Sequence, residues 1–539
     1  MKKKLFILSA LVFISFTACT DWLTEPQPGQ QGLEDFFVNE AAAIQAANGV
    51  YVPMTWQFGT TYFPEWFIGD IMSDDAIKGG QTIVDDMMDV YEMKNWRAAS
   101  GNRVLHYMYR ANFIGIARAN LALAYIPYMS SEMIDSDLQQ RLIGEIRFLR
   151  AFYYFRLVRI FGGVPLVDFV VLSDDDWSLP RASADEILDF IVDELEAAES
   201  LLWHRSEMDI EDLGRITRGA AQAMLARVHL WRAGSFTNRG LPAQQSWEQA
   251  RHWSGQVIAS NEYDLHTNFA YNWDLEHENG IESVFCIQFT EEPTSDFGGH
   301  AGGLGFTRGN FTMILTRSRS GQLSGGWGFN KPSWNLFNQF EQDDPRRDIT
   351  ILDTTPWVES IPDEIHFGNA FVSRKYALYG PDLNYPDIGY FELAHPSRGP
   401  LNNRQIRFSD VLLMYAEANM ELGNDAPAIA ALNRVRQRVD MPTFGNYSIS
   451  INGGAPFSPD LRTAIRHERR MELAMEGHRW FDLVRWGIAK QTMDAYAATL
   501  SAEERSHKGT FIEGVHELLP IPSQEMRLNP ALTQNPGFF

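Results

Sequence analysis

The chain is poor in cysteine: only Cys19 and Cys286 occur in 539 residues. Two cysteines cannot build a disulfide framework. Basic residues are also scarce, with 46 Lys and Arg against 69 Asp and Glu, a formal net charge of −23. A phosphate-binding face needs clustered Lys and Arg, so no nucleic-acid partner is expected. No apolar run reaches the roughly 20 residues that span a bilayer. Hydrophobic residues make up 45% and charged residues 21%. That balance excludes disorder and coiled coil as whole-chain descriptions. The length suits either a few units of about 100–200 residues or one large helical body with long insertions.

Catalytic motifs are missing too. His467-Glu468-Arg469-Arg470-Met471 begins like a zinc-protease helix, but Met471 stands where the second ligand should be. There is no G-x-S-x-G elbow and no Walker A lysine. Gly303, Gly305 and Gly309 miss the dinucleotide spacing, with Arg308 where a glycine is needed. Asp174-Asp175-Asp176 lacks the glycine and spacing of a calcium loop and reads as a solvated acidic turn. Glu468, Glu472, Glu476 and Asp482 lie at helical spacings from Arg469, Arg479 and Arg485. A glycosidase needs two carboxylates facing across a cleft, so these read instead as ion pairs tying helix to helix. No enzyme activity, cofactor or metal is expected.

The N-terminus is more informative. Lys2, Lys3 and Lys4 precede an apolar run from Leu5 to Phe16, broken only by Ser9 and Ser15. This pattern reads as a secretory signal. The run ends in Phe16-Thr17-Ala18-Cys19, small residues before a cysteine, which resembles a lipobox with Cys19 as the lipidated residue. Phe16 departs from the usual Leu. The other reading is a plain signal with an incidental cysteine. Removing residues 1–18 leaves 43 basic against 69 acidic residues, a charge of −26. Each buried lipid CH₂ adds about 0.8 kcal/mol, so two or more acyl chains would hold even this acidic chain at a membrane. Residues 20–32 then form a short polar tether. Cys286 lies in Ser283-Val284-Phe285-Cys286-Ile287, which reads as a buried strand.

Apolar periodicity predicts helices over 41–52, 102–126, 142–161, 217–233, 409–422, 427–439 and 460–486. Gly162-Gly163 stops the third of these. Capping boxes are expected at Ser183, Ser246 and Ser501. Small residues among large ones, as in Ala416, Ala418, Leu412 and Tyr415, let neighbouring helices approach closely. Paired helices of this kind suggest tetratricopeptide-like units in a superhelix, against an irregular α-bundle as the plainer reading. Residues 261–400 are rich in Gly, Asn, Asp, Pro and aromatics, and 296–330 reads as a long loop presenting aromatics.

Several blocks then carry a family likeness. They are Gly144-Glu145-Ile146-Arg147-Phe148-Leu149-Arg150-Ala151 running into Phe161-Gly162-Gly163-Val164-Pro165-Leu166, and Thr217-Arg218-Gly219-Ala220 with Leu225-Ala226-Arg227-Val228. Arg407-Phe408-Ser409-Asp410 leads into Met414-Tyr415-Ala416-Glu417-Ala418 and Leu432-Asn433-Arg434-Val435-Arg436. Glu468-Arg469-Arg470-Met471-Glu472-Leu473 precedes Gly477-His478-Arg479-Trp480-Phe481-Asp482, and Leu519-Pro520-Ile521-Pro522 precedes Asn535-Pro536-Gly537. In this order the chain resembles the RagB/SusD family of outer-membrane nutrient-binding lipoproteins.

The resemblance implies a mainly α fold, with four tetratricopeptide-like helix pairs packed against a loop-rich part with a few short strands. It implies a signal over 1–18, a lipid-anchored segment over 19–40 and an N-terminal helical region over 41–270. A loop-rich ligand-binding insertion over 271–400 and a C-terminal helical region over 401–539 would follow. It also implies a non-catalytic cell-surface lipoprotein, held to the outer membrane by its lipid anchor. Such a protein captures glycans, or alternatively peptides, for a TonB-dependent (SusC-like) transporter. A scaffold without a ligand is the remaining reading. Asp21 and Glu25 are a weak, spaced-out version of a surface-export signal.

A sugar ring offers one apolar CH face and a rim of hydroxyls, so its site pairs aromatics with polar side chains. One candidate group is Asp74, Asp75, Lys78, Asn95, Trp96 and Arg97. The resemblance assigns an acidic residue in this early loop and a later Trp to the site, and Asp75 and Trp96 fit that order. Trp96 packing into the core before the 102–126 helix is the alternative. A second group is Phe297, His300, Phe306, Arg308 and Trp327, although Trp327 also fits a scaffold pattern running to Asp344-Pro345-Arg346. Trp56, Tyr62 and Trp66 form a third aromatic cluster.

Overall fold

The computed structural model describes residues 33–57, 64–173, 176, 178–234, 243–291, 309–320, 325–355, 365–376 and 399–538. Cys19, Tyr62, Phe297, His300, Phe306 and Arg308 lie outside these residues. The main helices are α1 (Glu40–Tyr51), α2 (Met88–Lys94), α3 (Arg103–Tyr125), α4 (Ser136–Phe161), α5 (Ala184–Leu201), α6 (Arg218–Ala233) and α7 (Ala243–Ala259). They continue with α8 (Phe408–Glu421), α9 (Asp425–Arg438), α10 (Leu461–Glu472), α11 (Arg479–Arg485), α12 (Ala489–Thr499) and α13 (Ala502–His507).

Local chemistry sets the helix ends. The Asn39, Asn102, Asp135 and Thr217 side chains accept from the first-turn amides of α1, α3, α4 and α6. Ser183 and Glu186 form a reciprocal capping box on α5, and Ser501 and Glu504 another on α13. Gly162, at φ +71°, ends α4. The capping box expected at Ser246 is not used. Good helix formers, Ala243-Gln244-Gln245, extend α7 upstream and leave Ser246 buried inside it.

Helices pack in succession: α1 on α3, α3 on α4, α4 on α5, α5 on α6, α6 on α7, α7 on α8 and α8 on α9. This serial antiparallel stacking is the helix-pair superhelix. α4 lies at its centre, buried from Arg141 to Phe161 at every position but Arg147. A helix apolar or paired on all sides belongs in the middle of a core. Close approach depends on small residues. A Cβ on Gly115 would fall 2.3 Å from the Tyr153 ring, so α3 and α4 could not meet there with any larger residue. Among the described residues, no helix is long and apolar enough to cross a membrane.

The stretch expected as one helix over 460–486 is two, α10 and α11. Met475 and Gly477 take left-handed φ of +64° and +82°, which breaks the helix. The Gly477 carbonyl packs against Gly69, where a Cβ would lie 1.9 Å from it. The Gly477 amide donates to Asp70 Oδ1 at 2.8 Å.

Among the described residues, strands form three two-stranded antiparallel ladders: β1 (Ala76–Gly79) with β3 (Phe329–Pro332), β2 (Ser283–Ile287) with β6 (Asn403–Arg407), and β4 (Ile351–Asp353) with β5 (Phe371–Ser373). Register pairs Ala76 with Pro332 and Gly79 with Phe329. The 296–330 stretch therefore contains the start of a strand and, at Thr312–Thr316, a short helix. Cys286 is buried on β2 as expected, and burial raises its thiol to about 11.

Glu468, Glu472 and Glu476 are ion-paired, as expected, but with distant residues and not with the Arg469, Arg479 and Arg485 that helical spacing offered; Asp482 does meet Arg469 and Arg485. Glu472 accepts from Arg407 Nη1 at 2.9 Å, Arg346 Nη1 at 3.1 Å and Arg438 Nη2 at 2.6 Å. Glu468 pairs with Arg346 and Arg436, and Glu476 with Arg407 and Lys375. Arg407 also meets Glu282 at 2.5 Å. Every side chain in the mesh of Glu468, Glu472 and Glu476 is at most 1% exposed except that of Arg438, at 3%.

The C-terminal segment returns to the end of α4. The Leu519 amide donates to the Ile160 carbonyl at 2.8 Å. Asn535 Nδ2 donates to the carbonyls of Phe161 and Leu519, and Arg181 Nη2 donates to Asn535 Oδ1 at 2.7 Å.

Candidate ligand-binding cleft

Asp74 and Asp75 precede β1 and are buried. Arg479 grips Asp74 at 2.8 and 3.0 Å, and Arg470 Nε donates to Asp75 Oδ1 at 2.7 Å. Burial alone would raise both carboxyls. Arg470 and Arg479 reverse this at Asp74, whereas burial and the neighbouring Asp74 charge keep Asp75 raised. Asp75 thus belongs to the ion-paired floor beneath β1, because its partners on α10 and α11 take up the carboxylate.

Above this floor a small pocket, of about 30 Å³, lies between β1, α2, α12 and α13. Lys78 on β1 is one wall. Its Nζ donates to the Thr82 carbonyl at 3.0 Å and to the Asp86 carbonyl, and lies 5.3 Å from the Phe329 ring centroid. Burial pushes it down to about 8, against the pull of Asp86 and Asp85. Lys94 closes the bottom, donating to the Ser73 and Ala76 carbonyls at 2.6 and 2.7 Å. Burial pushes it down to about 7, although Asp74 and Asp75 oppose this. Asn95 also lines the cleft. Its Nδ2 donates to the Tyr91 carbonyl at 2.9 Å, and its own carbonyl accepts from Gly509.

The opposite wall is aromatic and basic. Tyr91 OH meets His507 Nδ1 at 3.1 Å, and Phe367 tilts against the His507 ring at 5.6 Å between centroids. Phe367 is half-buried, with φ at +55°, an unusual conformation for a bulky residue. Lys508 completes the cleft; its Nζ lies 3.4 Å from the Lys94 carbonyl and 5.8 Å from the Tyr496 ring centroid. The arrangement can offer ring faces and N–H donors to a polyhydroxylated ligand.

The other sequence candidates lie around this cleft or away from it. Trp96, half-buried at φ +57°, follows Asn95 and packs on Trp480 and Phe511 at 5.0 Å and on His516 at 6.0 Å. Trp327 is half-buried edge-on to Phe311 at 5.5 Å. It stands by the far end of the β1–β3 ladder, where Gly80 donates to the Gly328 carbonyl. Trp56 and Trp66 are core residues, 0% and 4% exposed. Tyr91, Phe367, His507 and Lys508 were not marked by sequence. Tyr91 could have been, one helical turn before Asn95, but nothing local ties 367 or 507 to residue 78. Among the described residues no three His, Cys, Asp or Glu side chains converge as a metal site.

A family model described as the SusD family matches residues 299–538. A second, described as starch-binding associating with outer membrane, matches residues 47–230. SusD-like protein P25 of Formosa agariphila is 24% identical, over 99% of this chain and 98% of its own. A solved laminarin binding SusD-like protein superposes with a TM-score of 0.73 at 26% identity, covering 93% of this chain and all of that one. Surface glycan-binding protein A from Bacteroides thetaiotaomicron, solved with laminarihexaose, has the same fold, with a TM-score of 0.73 at 22% identity over 92% and 99% of the two chains.

Proposed function

The chain belongs to the SusD family, and from that premise we propose that it is a glycan-binding protein whose ligand seats in the cleft between Lys78, Asn95 and Phe367. The laminarin-binding relative, similar over the whole of its length, is the observation that carries this reading. The chemistry agrees: Phe367 offers a ring face for the CH side of a sugar, and Asn95, Tyr91 and His507 lie within reach of its hydroxyl rim. Trp96 buttresses the cleft beside Asn95, and Trp327 flanks the ladder that carries Lys78. Phe297, Phe306 and Arg308, outside the described residues, are kept as proposed ligand contacts.

Catalysis has no part in the proposal. The bound glycan is delivered to a partner TonB-dependent outer-membrane transporter, and Cys19 carries the lipid that holds the protein at the membrane. The outer-membrane association in the family description supports this placement.

Calorimetric titration of residues 20–539 against a panel of oligosaccharides, laminarihexaose first, tests the reading. Binding to one glycan class that falls about tenfold or more in Phe367→Ala or Trp96→Ala, with the circular dichroism unchanged, supports it. Binding to a peptide digest only would move the assignment to peptide capture.

A further inference from the structure

The cleft is unusual in its charge. The chain as a whole is strongly acidic. Yet Lys78, Lys94, Lys508 and His507 all line this one cleft, and Glu504 is the one carboxylate among its lining residues. Two of the ammonium groups are already satisfied. Lys78 donates to two carbonyls and feels Asp85 and Asp86, and Lys94 donates to two carbonyls above Asp74 and Asp75. Lys508 differs. Among the described residues its hydrogen bond is a long one, 3.4 Å to the Lys94 carbonyl, and an ammonium has three protons to donate.

Resting on the glycan-binding reading above, we propose that the cleft recognises an acidic glycan, with an oxyanion substituent of the sugar (a carboxylate or a sulfate ester) seated against the Lys508 ammonium. Phe367 then covers the ring that carries the substituent. Lys94 and Lys78 chiefly supply field, since two of the three protons on each are already donated to backbone carbonyls. A charge-assisted hydrogen bond in a partly desolvated cleft is roughly twice as strong as a neutral one, so the substituent, and not the ring, would set specificity.

The electrostatics of the empty cleft agree. Lys94 and Lys508 share the Tyr496 ring, at 5.2 and 5.8 Å. Burial, and then the neighbouring Lys94 charge, push Lys508 well below the usual lysine range, and Glu504 only partly opposes this. A bound oxyanion would favour the ammonium form of Lys508.

Titration against a uronic-acid oligosaccharide, a sulfated galactan oligosaccharide and laminarihexaose distinguishes the two sources of the oxyanion. The expected result is at least one acidic ligand bound about tenfold more tightly than laminarihexaose, weakening as salt rises. Lys508→Gln should remove that preference; Lys508→Arg should keep it and Glu504→Gln should enhance it. Circular dichroism and the thermal midpoint of each variant check that the fold is kept. Equal binding of acidic and neutral glycans, or an unchanged preference in Lys508→Gln, overturns the inference while the glycan reading stands. If no oligosaccharide binds, inorganic sulfate decides. Thermal protection by sulfate that disappears in Lys508→Gln supports the oxyanion site alone, and its absence overturns both readings.

Discussion

Glu472 is a sharp place to perturb the fold. Its two oxygens take hydrogen bonds from Arg407, Arg346 and Arg438, and its side chain is fully buried. Burial alone would raise its pKa, but Arg438, Arg407 and Arg346 together hold it well below the carboxylate range. Glu472→Gln preserves volume, removes the charge and turns an N–H group toward the guanidiniums. Breaking a buried pair by removing one partner costs about 3–5 kcal/mol, because the remaining charges stay buried. An unfolding entropy of about 2 cal/mol/K per residue gives on the order of 1 kcal/mol/K for this chain, so the midpoint should fall about 3–5 °C. The comparison is Arg462→Gln, which removes a pair with Glu421 whose arginine is 46% exposed. That change should cost less than about 1 kcal/mol and shrink further with salt. Differential scanning calorimetry of both variants at two salt concentrations makes the test. If Glu472→Gln loses no more than Arg462→Gln, or its loss vanishes in salt, the buried mesh does not hold the helices together as argued.

Two further outcomes follow from the same region. Burial, helped by Asp75 and Glu476, pushes the Asp70 carboxyl up to about 7, against its bonds from Asn330 and Gly477. A pKa raised in the folded state means that its stabilising contribution is complete below about pH 4 and is lost as pH rises to about 7, a span worth at most about 4 kcal/mol. Urea unfolding of Asp70→Asn across that window should therefore show stability gaining on the wild type as pH rises, then a constant offset; a constant offset throughout would contradict this. Gly69→Ala places a Cβ 1.9 Å from the Gly477 carbonyl, and backbone must move. A loss of at least about 1–3 kcal/mol in chemical unfolding is expected, and an unchanged midpoint would mean the α10–α11 break is slack.

Local features were legible in the sequence and non-local ones were not. The helices, and the caps at Ser183 and Ser501, follow from spacing and nearby side chains alone. The break at Gly477 was hidden because the apolar pattern continues through it. What stops the helix is contact with Gly69 and Asp70, hundreds of positions away. The ladders have the same character, since β1 finds its partner only in β3. At the cleft, Lys78, Asn95 and Trp96 could be picked out as polar and aromatic residues in one early segment. The burial of Asp75 could not, because Arg470 and Arg479 come from the far end of the chain. Phe367 and Lys508 reach the same cleft from two other segments with no pattern to announce them.

The return of the last segment to the end of α4 bears on when this fold can form. Leu519 and Asn535 bond to the carbonyls that close the central helix, and Arg181 is tied to the same strip. Leu519 and Asn535 thus complete a helix whose own residues are made long before them. Contacts of such sequence separation form slowly, since a long loop must close before they reward it. Until that segment arrives the N-terminal helices lack their final closure, so the chain stays incompletely closed through most of its synthesis.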